Sequence, residues 1–284
     1  MKVLFCTDGS SKSFNAIDNF SKWFNNFEAD IVSVSDMAYF TDEMLVSNGK
    51  ILEKCSNNVN NILNYSQDYF TQKGIKQGKL IKMCGSAVDN ILELDESGDY
   101  KYIILGSNAK KGIQKWLGSV SQEVASKSKT SVYISKNEQV LKKILFPLDY
   151  ALLQNSYFKR NISNMNLVDS KISLMSIYQM PDFLFLEGNI DSNWISDVEQ
   201  KQQRESVNII NSVEKLFIQE GLSIYDKLVT KGNPSEVIIE YIKNNSQSLV
   251  AMEISKNKNR VLNNSVIRLV LEHSESDVLI NKNI

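Results

Sequence analysis

The sequence predicts an α/β protein built twice, as two tandem doubly wound domains, each a five-stranded parallel sheet with helices on both faces. Three observations predict it. Short, nearly continuous apolar runs alternate with segments of helical periodicity, the pattern of strands buried on both faces. The order of these runs in the first half starts again in the second. Glycines cluster after the fourth apolar run, where the ligand crevice of such a sheet would open.

"KVLFCTD" at 2–8 is the first strand. Ser10 or Ser11 can cap the helix after it, whose apolar positions Phe14, Ile17, Phe20 and Phe24 recur every three or four residues. "ADIVSVS" at 29–35 is the second strand. A long helix from Asp42 to Lys73 follows, with Ile51, Cys55, Val59, Ile62, Ser66 and Tyr69 on one stripe and Gly74 at its end. "KLIKMC" at 79–84, "KYIILGS" at 101–107 and "TSVYIS" at 130–135 are the third, fourth and fifth strands. A short helix around Val88, Ile91 and Leu92 and another over Ser119–Ser128 lie between them.

The second half repeats this order. "KKILFPLDY" at 142–150 matches "MKVLFCTDG" at 1–9, with Asp149 in the place of Asp8. "KGNPSEVIIEYI" matches "MCGSAVDNILEL" and pairs Gly232 with Gly85. "SVIRLVLEHSESDVLI" matches "SVSQEVASKSKTSVYI" and pairs Ser265 with Ser119. The offset drifts only from 141 to 147, which places one small insertion, assigned to "QMPDFLFLEGNIDSNW". The expected domains are residues 1–137 and 141–284. Their linker, "KNEQVLK" at 136–142, is short enough that the halves are expected to pack together.

Composition narrows the function classes. The chain has 284 residues, 42% apolar and 23% charged, with a net charge of −1, a balance expected of a soluble globular protein. Without a Lys/Arg block, a large nucleic-acid footprint is not expected. No apolar run approaches the length of a membrane span, and the apolar start is too short for a secretory signal, so the expected location is the cytoplasm. Three widely spaced cysteines without a CxxC predict reduced thiols rather than a disulfide framework or a zinc site. The single histidine, His273, falls at the end of a helical pattern. That argues against a Ser-His-Asp triad and for a favourable helix-dipole position.

The candidate site is the segment "LGSNAKKGIQKWLGSVSQEV" at 105–124. With strand order 3-2-1-4-5, strands one and four meet at the point where the order reverses, so Asp8 and the loop from Gly106 to Ser121 should share a crevice. Gly106 would let backbone come close to a ligand. Gly118 and Ser119 open a helix whose free amides and positive dipole end suit a phosphate. Ser119 and Ser121 add hydroxyls, and the Asp8 carboxylate can accept from a ribose or a base edge. Plainer readings stand beside these: Asp8 as a cap of the following helix, Lys110, Lys111 and Lys115 as a solvated loop, and Trp116 as local packing.

"CTDGSSKSFNAI", "GSNA" and "GSVSQEVASKSKTSVYIS" together resemble the universal stress protein family, in both halves, as in a tandem member. The resemblance implies the adenine nucleotide alpha hydrolase-like fold and stress-linked regulation. It implies an ATP- or AMP-binding loop of the form G-x2-G-x8/9-G-[ST], with Mg as an accompanying ion. That loop falls on Gly106, Asn108, Ala109, Gly118, Ser119, Val120 and Ser121, with eight residues between Ala109 and Gly118. Thr7 and Asp8 would line base and ribose, and Ser35 and Asp36 would meet the adenine. Ala109 stands where the family has a second loop glycine, which should weaken binding without abolishing it. In the second half, aligned on Ser265, the glycine positions become Met252, Ser255 and Asn264, and Tyr150 follows Asp149 where Gly9 follows Asp8. That half is therefore expected to be degenerate.

The family's fifth strand commonly pairs domains, which implies intramolecular pairing of the two halves. Exposed aromatics in the insertion suggest a homodimer. An enzyme is not expected beyond slow ATP hydrolysis, because there is no GxxxxGK[ST] loop and no evident general base. A receiver domain would need acids beside Asp8, and an oxidoreductase would need GxGxxG after a strand; neither is present. A nucleotide-free scaffold of the same family is the alternative.

Overall fold

The computed structural model describes residues 1–36, 49–107, 118–137, 141–149, 156–180, 192–254, 262 and 264–282. The chain divides into two compact units, Met1–Glu138 and Gln139–Asn283.

In the first unit, β1 (Lys2–Cys6), β2 (Glu28–Asp36), β3 (Lys76–Gly85), β4 (Tyr102–Gly106) and β5 (Ser131–Ser135) form a sheet ordered β3-β2-β1-β4-β5, every pair parallel. The helices are α1 (Ser11–Trp23), α2 (Gly49–Lys73), α3 (Ala87–Ser97) and α4 (Ser119–Lys127). In the second unit, β6 (Lys143–Leu148), β7 (Lys171–Tyr178), β8 (Ile224–Lys231), β9 (Leu249–Ile254) and β10 (Asp277–Lys282) follow the same plan, β8-β7-β6-β9-β10. Its helices are α5 (Ser156–Asn164), α6 (Ser192–Gln219), α7 (Pro234–Asn245) and α8 (Asn264–His273).

The elements form for the reasons their residues supply. Ser10, rather than Ser11, caps α1, its side chain accepting from the Ser13 amide. The apolar face of α1 buries Phe14, Ile17, Phe20 and Trp23. Phe20 stacks on Phe24 at 4.4 Å and meets Tyr102 and Tyr133 edge-on at 5.6 and 5.4 Å. Along the stripe of α2, Val59, Leu63 and Phe70 are buried, and Ser66 satisfies its hydroxyl on the Ile62 carbonyl at 2.7 Å. Phe5 of β1 packs against Phe14 and Phe70, at 6.0 and 5.7 Å between centroids, so this face of the sheet is the α1/α2 face. The duplication is visible in the packing: Phe146 of β6 meets Phe217 of α6 at 5.3 Å, as Phe5 meets Phe70. His273 sits in the last turn of α8, as expected from its dipole preference.

Some boundaries differ from the sequence reading. β2 runs one residue past its expected run at each end, and β3 starts three residues early, at exposed Lys76, because a strand at the sheet's outer side in this unit need not be apolar. The expected start of the long helix at Asp42 lies outside the described residues, as do most of the insertion and the middle of the linker.

Candidate functional site

The carboxyl ends of β1, β2 and β4 bring most of the expected residues to one end of the first sheet. After β1, the Thr7 amide extends the ladder to the Val32 carbonyl at 3.0 Å. The chain then turns sharply into α1. Gly9 has φ +79°, and a Cβ there would lie 2.9 Å from Ile62, so the turn requires glycine on two counts. Asp8 is exposed, and its Oδ1 accepts from the Ser10 amide at 3.0 Å and the Ser10 hydroxyl at 2.6 Å. The plainer reading of Asp8 is therefore realised in part: it fastens the turn that starts α1.

The same Asp8 lines a cavity of about 410 Å³. Val34, Ser35 and Asp36 from the end of β2 form its second wall. Lys54, Cys55, Asn58, Val59 and Ile62 of α2 form the third. The structure thus brings together Asp8, Ser35 and Asp36, three of the expected ligand-facing residues. Thr7 is turned elsewhere. It is buried, and its hydroxyl shares a hydrogen bond with Ser13 Oγ at 2.8 Å and accepts the Gly9 amide at 3.1 Å. Thr7 therefore shapes the turn instead of facing the cavity.

Gly106 ends β4, beside β1 in the ladder that pairs Val3 with Tyr102. Its glycine has a different cause from the one expected. A Cβ at Gly106 would lie 2.8 Å from the Lys12 carbonyl oxygen and 3.0 Å from Ser13 Cα, so the backbone it admits is that of α1 rather than a ligand. Ser121 is buried, and its hydroxyl donates to the Gly106 carbonyl at 3.0 Å, tying α4 to the end of β4. Gly118 is the N-cap of α4, with φ −60°, and among the described residues no side-chain cap hydrogen bond is made there. Ser119 is exposed and Val120 partly so. Asn108 and Ala109, with the lysines and Trp116 of the same loop, lie outside the described residues.

The corresponding positions of the second unit carry side chains held within the protein. Asp149, in the place of Asp8, is buried, and its Oδ2 accepts the Leu262 amide at 3.3 Å. The ladder also corrects the expected alignment of Met252 with Gly106. Val3 pairs with Tyr102 in β1/β4, and the equivalent Ile144 pairs with Leu249 in β6/β9. Four residues on, Gly106 corresponds to Glu253. Glu253 is buried and accepts from Asn161 Nδ2 at 3.2 Å. A carboxylate side chain stands where the first unit has none.

Sequence reasoning missed the α2 wall, Lys54 and Asn58 above all. Their signal was present: the two are four apart, beside the stripe of Cys55, Val59 and Ile62. Among the described residues no group of three or more His, Cys, Asp or Glu is placed to hold a metal ion. No described helix is long and apolar enough to cross a membrane.

Fold and site define a tandem doubly wound α/β protein whose first unit carries a cavity at the carboxyl ends of β1 and β2. A family model described as the Universal stress protein family matches residues 1–136, and the first unit belongs to that family. A universal stress protein from Archaeoglobus fulgidus aligns over 99% of this chain and 98% of its own at 19% identity, with a TM-score of 0.58. A protein of unknown function from Pseudomonas aeruginosa PAO1 aligns over 99% and 92% at 13% identity, with a TM-score of 0.61. These likenesses span both units and concern the fold. No curated protein matches the chain.

Proposed function

We propose that the first unit binds one adenine nucleotide, ATP foremost and AMP as the alternative, in the crevice between Asp8 and α4. The base lies in the cavity of Asp8, Ser35 and Asp36. The phosphates run across the end of β4 to the amides of Gly118, Ser119 and Val120, with Asn108 and Ala109 completing the loop. One observation carries the reading: a cavity of about 410 Å³ at the carboxyl ends of β1 and β2, lined by Asp8, which follows the strand that pairs with β4, from whose end the chain leads to the Gly118 cap of α4. Apolar Val34, Val59 and Ile62 suit the faces of a base, and the carboxylates and Asn58 suit its polar edge. Magnesium, when it accompanies ATP, would be held mainly by phosphate oxygens and water, with Asp8 the nearest protein carboxylate to the proposed phosphate path. The expected biological role is stress-linked regulation.

Titration calorimetry of the full chain with ATP and then AMP tests this. Gly118→Val places a branched side chain at the cap of α4 and should remove nucleotide binding while leaving the circular dichroism of the fold unchanged. A wild-type chain that binds neither nucleotide would favour the scaffold reading, in which Asp8 serves only the turn at Ser10.

A further inference from the structure

Asp8 is exposed and lines the cavity, yet its carboxylate is held. Ser10 donates to it twice, from the amide at 3.0 Å and from the hydroxyl at 2.6 Å. Both donors meet Oδ1, and a carboxylate accepts at both of its oxygens. Ser10 is itself fixed from the other side. As the N-cap of α1, its hydroxyl oxygen accepts the Ser13 amide at 3.3 Å, while its one hydroxyl hydrogen points to Asp8. The Ser10 carbonyl accepts the Ser13 hydroxyl at 2.8 Å. That bond uses the Ser13 hydrogen, so in the 2.8 Å contact between Thr7 and Ser13 the Thr7 hydroxyl is the donor. Thr7 in turn accepts the Gly9 amide at 3.1 Å. Each hydroxyl hydrogen of Thr7, Ser13 and Ser10 therefore has one direction. Capping α1 needs only the Ser10 oxygen, so the bond from the Ser10 hydrogen to Asp8 is a second task.

The place of Asp8 says what that task serves. β1 runs between β2 and β4 in the sheet. With a base at the end of β2 and phosphates beyond the end of β4, the sugar lies over the end of β1, where Asp8 stands. A carboxylate only accepts, so it suits sugar hydroxyls and not phosphate oxygens. The second unit supplies a contrast. The offset of 141 that sets Asp149 on Asp8 sets Ala151 on Ser10, so no hydroxyl is present at that position, and the Asp149 carboxylate accepts the Leu262 amide.

We propose that Ser10 is a positioning residue of the ligand site, which aims the Asp8 carboxylate at the sugar hydroxyls and so makes the site selective for a ribonucleotide. An exposed aspartate left to rotate would lose that freedom on binding; Ser10 removes the cost beforehand.

This inference rests on the nucleotide reading above. The test is calorimetry of the full chain with ATP and with 2′,3′-dideoxy-ATP, which lacks both sugar hydroxyls, alongside melting temperatures. Wild type should bind ATP about tenfold or more tighter than the dideoxy compound. Asp8→Ala and Ser10→Ala should bring that ratio close to one. Ser10→Thr, which keeps the hydroxyl, should restore it. Ser86→Ala removes the N-cap of α3, a helix that does not line the cavity, and is the control for a lost cap. It should lower the melting temperature as Ser10→Ala does and keep the wild-type ratio. If Ser10→Ala melts earlier but keeps the wild-type ratio, Ser10 is a cap alone and the proposal is overturned. A wild-type ratio near one with ATP bound also overturns it and leaves the nucleotide reading standing. A wild-type chain that binds neither compound overturns the nucleotide reading, and this inference with it.

Discussion

At the residue scale, the glycines show how one residue type can be read correctly for position and wrongly for cause. Gly106 was placed at the end of a strand beside the crevice, and it is there. Its demand comes from α1, whose Lys12 carbonyl lies 2.8 Å from where a Cβ would stand. Sequence cannot show this, because the two backbones come together only through the β1/β4 pairing. Gly106→Ala should therefore lower stability by about 1–3 kcal/mol in urea unfolding, with or without nucleotide present. Unchanged stability together with weakened ATP binding would return Gly106 to the ligand. A second residue gives a pH test. Asp30 is buried. Burial alone raises its carboxyl, but the Lys2 ammonium at 2.8 Å, the Lys79 amide and the Tyr100 hydroxyl outweigh it and hold the carboxyl below its ordinary value. A carboxyl depressed by folding stabilises fully above its unfolded pKa, and that contribution is lost as pH falls through the lower folded value. Wild type should thus lose melting temperature below about pH 4 more steeply than Asp30→Asn, which carries no titrating group there. Parallel curves for the two proteins would contradict it.

At the element scale, type and order of the strands were legible because buried parallel strands leave near-continuous apolar runs and the runs come twice. Registers were less so. "LVAMEI" at 249–254 admits a one-residue slip, and aligning on Ser265 set Met252 opposite Gly106 where the ladder sets Glu253. The α2 wall was hidden for another reason. A stripe such as Cys55, Val59 and Ile62 repeats identically whether it seals a core or lines a cavity, and only the end of β2 decides which. The sequence reading of the second half rested on its lost glycines, with Asp149 kept; the structure adds that the Asp149 carboxylate accepts the Leu262 amide. Asp149→Ala should leave ATP affinity unchanged in calorimetry, while costing about 1–3 kcal/mol of stability through the lost buried hydrogen bond.

At the scale of the whole molecule, the two units share one strand plan and differ at the carboxyl ends of their first strands. In the first, Asp8 is exposed and lines a cavity; in the second, Asp149 and Glu253 are buried and hydrogen-bonded within the protein. The most direct test is isothermal titration of the full-length chain with ATP, counting sites in wild type, Asp8→Asn and Asp149→Ala. One site per chain, weakened in Asp8→Asn and untouched in Asp149→Ala, is the predicted result. Two equivalent sites, or binding lost in Asp149→Ala and retained in Asp8→Asn, would contradict it.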